Sequence, residues 1–138
     1  MNITTEQHTA RIPVTIVRLQ GELDGTNYLE VISQVKQLAQ SGTRSLLVDM
    51  GNVPYMSSAG LVALHSAAVL LRGEEPPDVN AGWSALKSVV SDRPTDGAAQ
   101  QAVKLLNPQP RVARTLQMSG MDVFYESYTD EAAALASF

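Results

Sequence analysis

The sequence has no cysteine, few aromatic residues and no run of basic residues. Without cysteine, the 138-residue chain can form neither disulfide bonds nor a thiolate metal site, and its two histidines, His8 and His65, are far apart in sequence. The ten lysine and arginine residues are scattered, whereas proteins that bind a phosphate backbone cluster them. We therefore expect partners that are proteins or small molecules, and no nucleic acid.

Signals for export and for membrane insertion are also missing. The N-terminal stretch has no basic start followed by an apolar core, and no apolar run reaches the roughly 20 residues that cross a bilayer. These absences predict a cytoplasmic protein that does not contact membranes. With 44% apolar residues the chain can build one core, so residues 1–138 are expected to form a single domain.

Strand and helix patterns alternate along the chain. β-branched apolar segments predict strands, and apolar residues at helical spacing predict helices. The expected strands are residues 2–9, 12–19, 46–50, 103–106 and 123–125, and the expected helices are residues 28–39, 58–71, 110–117 and 130–138. Thr129 is the expected cap of the last helix. This alternation predicts an α/β fold with a mixed sheet packed by helices.

Two adjacent serines stand in the segment VPYMSSAGLVALHSAAVLL at residues 53–71. A strand, a turn and then a hydroxyl before an apolar run are typical of a helix N-terminus, so Ser57 is predicted to cap the helix. Met56 and Leu61 then flank that cap at the positions of a hydrophobic staple. Ser57 therefore has a structural role.

Ser58 has no such role, because the first helical position does not cap the helix. The small residues after it, Ala59 and Gly60, leave the surface bare, so a partner could approach the Ser58 hydroxyl closely. The alternative is that Ser58 is only a small residue in a crowded first turn.

The helix that follows has no polar face. Apolar residues are placed to face the sheet, but others lie around the rest of the helix, namely Ala59, Ala63, Ala67 and Leu70. Either the helix is buried all round, or one smooth face is kept for a partner. Full burial is difficult in a domain of this size, so we favour a partner-facing surface that includes Ala63 and Ala67.

Three segments resemble successive signatures of the STAS domain, especially its bacterial anti-sigma factor antagonist branch. They are GELDGTNY at residues 21–28, LLVDMGNVPYMSSAGLVAL at residues 46–64 and LQMSGM at residues 116–121. Their order and spacing agree with the family over most of the chain. The resemblance implies a mixed sheet of four or five strands that is packed on one side by helices.

The resemblance also implies a function, which is to bind an anti-sigma factor so that a sigma factor is released. In that family the partner is often a serine kinase of the histidine-kinase-like ATPase type, which ends the interaction by phosphorylating the antagonist. The phosphorylated serine of the family falls on Ser58, and the acid of the first motif falls on Asp24. The residue before the phosphorylated serine is usually aspartate, whereas this chain has Ser57.

An insertion follows the central helix at about residues 73–101, where the family usually turns directly into the next strand. The segment begins and ends in breaker-rich sequence, as an insertion into a surface loop would. Within it, Trp83, Leu86, Val89 and Val90 fall at helical spacing. This short helix is expected either to cover the surface of the domain or to present Trp83 to a partner.

The sequence gives little support for an enzyme. His65 follows Ser58 by seven positions on one helix, roughly 10 Å along its axis, and no Gly-x-Ser-x-Gly elbow occurs. We therefore expect no catalytic residues, metal ligands or cofactor, and we assign His65 to helix packing. The rival to a phosphorylated antagonist is a STAS-type scaffold that is never phosphorylated, or a module that senses a small ligand. The pattern does not predict the oligomeric state.

Overall fold

The first two strands form a hairpin at one edge of the sheet. The computed structural model describes residues 1–74 and 100–138. In it, β1 (Asn2–Thr9) pairs antiparallel with β2 (Pro13–Gln20), and the register runs without interruption from Asn2–Gln20 to Thr9–Pro13. Four consecutive β-branched residues of β2, from Val14 to Val17, are all buried, as expected of a strand whose two faces are both covered.

The other strands add to β2 in parallel. They are β3 (Leu46–Asn52), β4 (Val103–Leu106) and β5 (Ser127–Tyr128), and the sheet order is β1-β2-β3-β4-β5. The predicted α/β fold, a mixed sheet of four or five strands packed by helices, is confirmed with five strands.

Four α-helices belong to the described residues. They are α1 (Tyr28–Gln40), α2 (Ser58–Leu71), α3 (Pro110–Ser119) and α4 (Glu131–Ala136), and a 3-10 turn spans Met121–Val123. Gly120 ends α3 with a φ of 76°, a left-handed conformation that favours glycine. Within the described ranges, no helix has the length and apolar content needed to cross a bilayer.

The main core lies on the face of the sheet that α1, α2 and α3 cover. Alternate residues of the central strands, such as Val17, Val48 and Leu105, pack there with Val35 of α1 and Leu116 of α3. Because successive side chains of a strand point to opposite faces, the remaining strand residues form a second core.

That second core lies under α4, on the opposite face of the sheet. Ile16, Leu47 and Leu106 pack there against Ala134 and Leu135. The expectation that helices cover one side only is therefore wrong for α4. A six-residue helix can cover this face because polar contacts from the sheet, Arg18 with Glu131 and Lys104 with Ser137, hold it at both ends.

Two local predictions near the C-terminus are wrong. Residues 123–125 were expected to form a strand, but Phe124 and Tyr125 are buried in the main core after the 3-10 turn, and the strand begins at Ser127. The apolar character of this segment comes from core packing and not from strand pairing. The cap of α4 is Asp130, whose carboxylate accepts a hydrogen bond from the Ala132 amide, and not Thr129.

The helix α2 is buried on almost every side. Ala63 is 0% exposed and Ala67 is 2% exposed, and both belong to the main core. The prediction that they border a partner-facing surface is wrong, because α2 lies between the sheet and the neighbouring helices. The expected helical pattern at Trp83, Leu86, Val89 and Val90 lies outside the described residues.

Candidate partner-binding site

Two loops meet at the carboxyl ends of β2 and β3, and they carry the predicted site residues Asp24 and Ser57, with Ser58 following at the start of α2. The Leu23 amide donates to the Tyr55 carbonyl at 3.0 Å, and the Ser57 amide donates to the Leu23 carbonyl at 2.9 Å. Leu23 and Met56 thereby form a parallel bridge. The residues that follow them, Asp24 and Ser57, are neighbours across the two loops.

Ser57 caps α2, as predicted. Its backbone is extended, with φ −86° and ψ 179°, and its hydroxyl accepts a hydrogen bond from the Ala59 amide at 3.3 Å. One of the unpaired amides in the first helical turn is satisfied in this way. The hydroxyl of Ser57 is therefore already engaged in holding the helix end.

Ser58 stands at the first helical position and is exposed. Its hydroxyl makes no hydrogen bond with any residue in the described ranges, and Ala59 beside it is half-buried. A small, free hydroxyl at the end of the helix is thus accessible from solvent. This geometry agrees with the prediction that Ser57, and not Ser58, caps the helix.

Asp24 is engaged within its own loop. Its Oδ1 accepts hydrogen bonds from the Thr26 hydroxyl at 2.6 Å and from the Thr26 amide at 2.9 Å. Both bonds lower the pKa of the Asp24 carboxyl, and the bond from the Thr26 hydroxyl has the larger effect. The carboxyl is therefore ionised at neutral pH. The Asp24 carbonyl also accepts from the Tyr28 amide at the start of α1. Asp24 therefore shapes the loop that pairs with the Met56–Ser57 segment through Leu23.

Gly60 is buried and serves packing. A Cβ built on Gly60 would lie 2.1 Å from Cγ of Met56 and 3.2 Å from Cδ2 of Leu23. The absence of a side chain lets the two loops approach the first turn of α2. Gly60 is therefore not part of the bare surface that was predicted, which is limited to Ser58 and Ala59.

Another element joins the site without any signal in the local sequence. The Thr115 hydroxyl of α3 donates to the Met56 carbonyl at 2.9 Å. The guanidinium of Arg111, one turn earlier, lies 4.5 Å from the centre of the Tyr55 ring. Both contacts link residues more than 50 positions apart. Only the helical spacing of Arg111 and Thr115 hints that they share a face.

His65 lies within the core, as predicted for helix packing. It is buried, and its ring centre is 6.4 Å from that of Phe124 at a tilted angle. A buried imidazole cannot serve as a base for an exposed Ser58 hydroxyl seven positions earlier on the same helix. Ser58 and His65 therefore do not form a serine–histidine pair.

A separate cavity of about 410 Å³ lies at the other end of the sheet, near the amino ends of β2 and β3. Its wall is rich in hydroxyl groups, which come from Thr9, Thr15, Ser41, Thr43 and Ser45. The guanidinium of Arg44 lines it too, but donates to the carbonyls of Ala39 and Thr43. The cavity shares no residue with the loops around Ser58.

Comparison with solved structures shows the same fold in several anti-sigma factor antagonists. An antagonist from Mycobacterium paratuberculosis is 16% identical with a TM-score of 0.60, over 99% of this chain and 93% of that one. The antagonist SpoIIAA in its unphosphorylated form is 21% identical with a TM-score of 0.56, over 94% and 92% of the two chains. The Bacillus cell fate determinant SpoIIAA in its phosphorylated form is 18% identical with a TM-score of 0.50, over 94% and 96%.

Sequence comparison leads to the same family. No curated protein matches the chain as a relative. The sequence profile of the STAS domain, however, matches residues 2–74, which is more than half of the 138 residues. The matched region contains both loops of the site and the whole of α2. With the predicted motifs in place and the fold shared, the chain belongs to the STAS domain family.

Proposed function

We propose that this STAS protein is an anti-sigma factor antagonist and that phosphorylation of Ser58 ends its binding to the anti-sigma factor. The observation that carries the proposal is the free, exposed hydroxyl of Ser58 beside a cap, Ser57, whose hydroxyl is engaged. A modification at Ser58 therefore leaves the capping bond in place. The protein acts as a regulator and not as an enzyme.

The folded protein tolerates a phosphate at this position. A phosphoserine carries roughly −1.5 to −2 charge at neutral pH, and Ser58 lies at the positive end of the α2 dipole. No acidic residue stands in the first turn of α2 to repel that charge. Phosphorylation should therefore change the surface without unfolding the domain.

A bound partner does not tolerate the same change. If the anti-sigma factor packs on Ser58 and Ala59, a phosphate adds bulk to the interface and a charge that the partner must desolvate. This penalty falls on the complex alone, so binding is lost while the fold remains. The existence of SpoIIAA in phosphorylated and unphosphorylated forms supports a switch of this kind in proteins of this fold.

The proposed partner is an anti-sigma factor that is also a serine kinase of the histidine-kinase-like ATPase type. Such a partner would supply ATP and the catalytic groups, so this chain needs only the acceptor hydroxyl. Ser57 replaces the aspartate that is usual before the acceptor, so that partner must orient itself without this charge. Asp24, which is ionised, is an acid on the neighbouring loop of the site.

The test uses purified anti-sigma factors of the ATPase type from the source organism, one at a time. Each is incubated with the wild-type protein and ATP, and phosphate is mapped by tandem mass spectrometry. We expect phosphate on Ser58, none in Ser58→Ala, and a complex with Ser58→Ala that survives ATP. Ser58→Asp should fold normally and bind much more weakly.

Other outcomes would contradict the proposal in different ways. Phosphate on Ser57 would reverse the roles of the two serines. If a partner binds but phosphorylates neither serine, and Ser58→Asp binds as well as wild type, the protein is a constitutive STAS-type scaffold. A small molecule that binds in the hydroxyl-lined cavity and changes partner affinity would instead favour a ligand-sensing module.

A further inference from the structure

We infer that the exposed face of α3 extends the docking surface around Ser58 and binds an acidic surface of the partner. This inference rests on the proposed function, because it assumes that a partner approaches Ser58. It adds α3 to a site whose predicted residues lie on the loops before α1 and α2 and on α2 itself.

Two contacts hold α3 beside the Ser58 loop. The Thr115 hydroxyl donates to the Met56 carbonyl at 2.9 Å, immediately before the cap. The Arg111 guanidinium lies over the Tyr55 ring at 4.5 Å. Stacking on an aromatic ring restrains a long cationic side chain, so Arg111 is presented next to the loop in a defined position.

The free face of α3 continues from these contacts. Arg114 and Met118 lie three and seven positions after Arg111, so the three side chains project from the same side of the helix. The opposite side is buried through Val112 and Leu116. Arg111 and Arg114 are exposed, and Met118 is 77% exposed.

The charge of this face differs from that of the whole chain. The chain has a net charge of −4, but α3 contains two arginines and no acidic residue. Neither Arg111 nor Arg114 forms an ion pair with any residue in the described ranges, whereas Arg18 and Lys104 are paired. Unpaired guanidinium groups remain available for carboxylates of a partner.

The composition is that of an interface. Arginine and methionine are enriched where proteins bind one another, and aromatic residues such as Tyr55 are enriched with them. Arginine can bind a carboxylate through two parallel hydrogen bonds, so an acidic surface is the complementary chemistry. An exposed methionine gives the same face an adaptable apolar contact.

The location also adds to the effect of phosphorylation. A phosphate on Ser58 would place about two negative charges at the end of the helix beside this basic face. The positive potential that attracts an acidic partner would fall, in addition to the direct obstruction at Ser58. The basic face therefore makes release more complete in the phosphorylated state.

The experiment compares two charge reversals at opposite ends of the sheet. Arg111→Glu/Arg114→Glu is made on the face of α3. The first control is Arg11→Glu, at an exposed position in the β1–β2 turn. The second control is Arg11→Glu/Lys36→Glu, which matches the double change in charge, and Lys36 lies on the exposed side of α1. Affinity is measured by isothermal titration calorimetry with the purified anti-sigma factor that binds the wild type, at low and at high salt.

We expect the α3 variant to bind about tenfold or more weakly at low salt, with a smaller dependence on salt than the wild type. The control variants should bind within about twofold of the wild type, because they change the net charge and not the docking face. Equal affinities of the α3 double variant and the control double variant would overturn the inference.

Two further measurements keep the outcomes distinct. Circular dichroism melts check that each variant is folded, and the neutral variant Arg111→Gln/Arg114→Gln replaces the reversal if that protein does not fold. If the wild type binds none of the anti-sigma factors, the proposed function fails and the inference fails with it. If the wild type binds and is phosphorylated but the α3 variants bind equally well, only the inference fails.

Discussion

At the scale of single residues, the side chains that hold the site's backbone are different from the side chain that is exposed to solvent. Ser57 and Asp24 are each engaged by amides of their own loops, while the Ser58 hydroxyl is free of such bonds within the described residues. Gly60 contributes by having no side chain where Met56 packs. The positions that hold the backbone therefore lie beside Ser58, whose hydroxyl bonds to none of the described residues.

Substitution of the two serines should have unequal effects on stability. Ser57→Ala removes the bond to the Ala59 amide and should lower the free energy of unfolding by roughly 0.5–2 kcal/mol. Ser58→Ala removes no bond, and its effect should stay within about 0.5 kcal/mol. Urea unfolding of both variants measures the difference. A Ser58→Ala variant as unstable as Ser57→Ala would show that Ser58 also holds the helix end.

The local sequence was sufficient for the residues whose contacts are local. The cap at Ser57 depends on residues two positions away, so a hydroxyl before an apolar run predicts it. The contact of Arg111 with Tyr55 depends on how two distant elements pack. No spacing rule brings these positions together, so the contribution of α3 to the site could be found only from the structure.

At the scale of elements, α2 shows how composition leaves burial undecided. An apolar residue on every side is expected both for a helix with a docking face and for a helix buried all round. The choice depends on whether neighbouring elements cover the outer face. Here α1 packs along α2, and residues of α3 and of the segment after it, such as Phe124, complete the cover. The small Ala63 and Ala67 permit this close approach.

A charged residue in the middle of α2 should therefore unfold the domain. Ala67→Arg would bury an unpaired guanidinium and overfill the core, which should cost at least about 3 kcal/mol of stability. Ala133→Arg is the matched control, because Ala133 is an exposed position of α4 and its change should stay within about 0.5 kcal/mol. Thermal unfolding by circular dichroism compares the two. An Ala67→Arg variant that melts like the wild type but no longer binds its partner would show that this side of α2 is a docking surface after all.

At the scale of the whole molecule, two polar clusters hold α4 across the sheet. Arg18 of β2 bonds to Asp49 of β3 and to Glu131 of α4, each at 2.8 Å. Lys104 of β4 is only 1% exposed, and its ammonium group donates to the Ser137 carbonyl at 2.9 Å. The same group lies 3.1 Å from Glu126. Strands from the centre of the sheet are thereby connected to both ends of the last helix.

The pair of Lys104 and Glu126 should make stability depend on pH. The bond from Lys104 is the main cause that lowers the pKa of Glu126 in the folded protein below its ordinary 4.5. A lowered folded-state pKa contributes stability above pH 4.5, and that contribution is lost as the pH falls through 4.5 towards the lowered pKa. Glu126→Gln should therefore lose less stability on acidification than the wild type.

Urea unfolding at a series of pH values measures this difference. In a Lys104→Met background, which keeps the side-chain volume without the charge, Glu126→Gln should change the pH dependence little. If Glu126→Gln changes the profile equally in both backgrounds, the cause of the dependence is not the pair.

The helical position of Ser58 limits which kinases could carry out the proposed phosphorylation. An enzyme that binds its acceptor as an extended strand would not fit Ser58, because Ser58 stands in the first turn of α2, where the Gly60 amide donates to the Ser57 carbonyl. To present Ser58 in an extended form, the first turn of α2 would have to unwind and expose buried Leu61. An enzyme that modifies the folded protein must instead recognise a shape, assembled from loops and helices that are distant in sequence. A peptide cut from this segment lacks that shape, so specificity in such a switch resides in the tertiary structure rather than in a sequence motif.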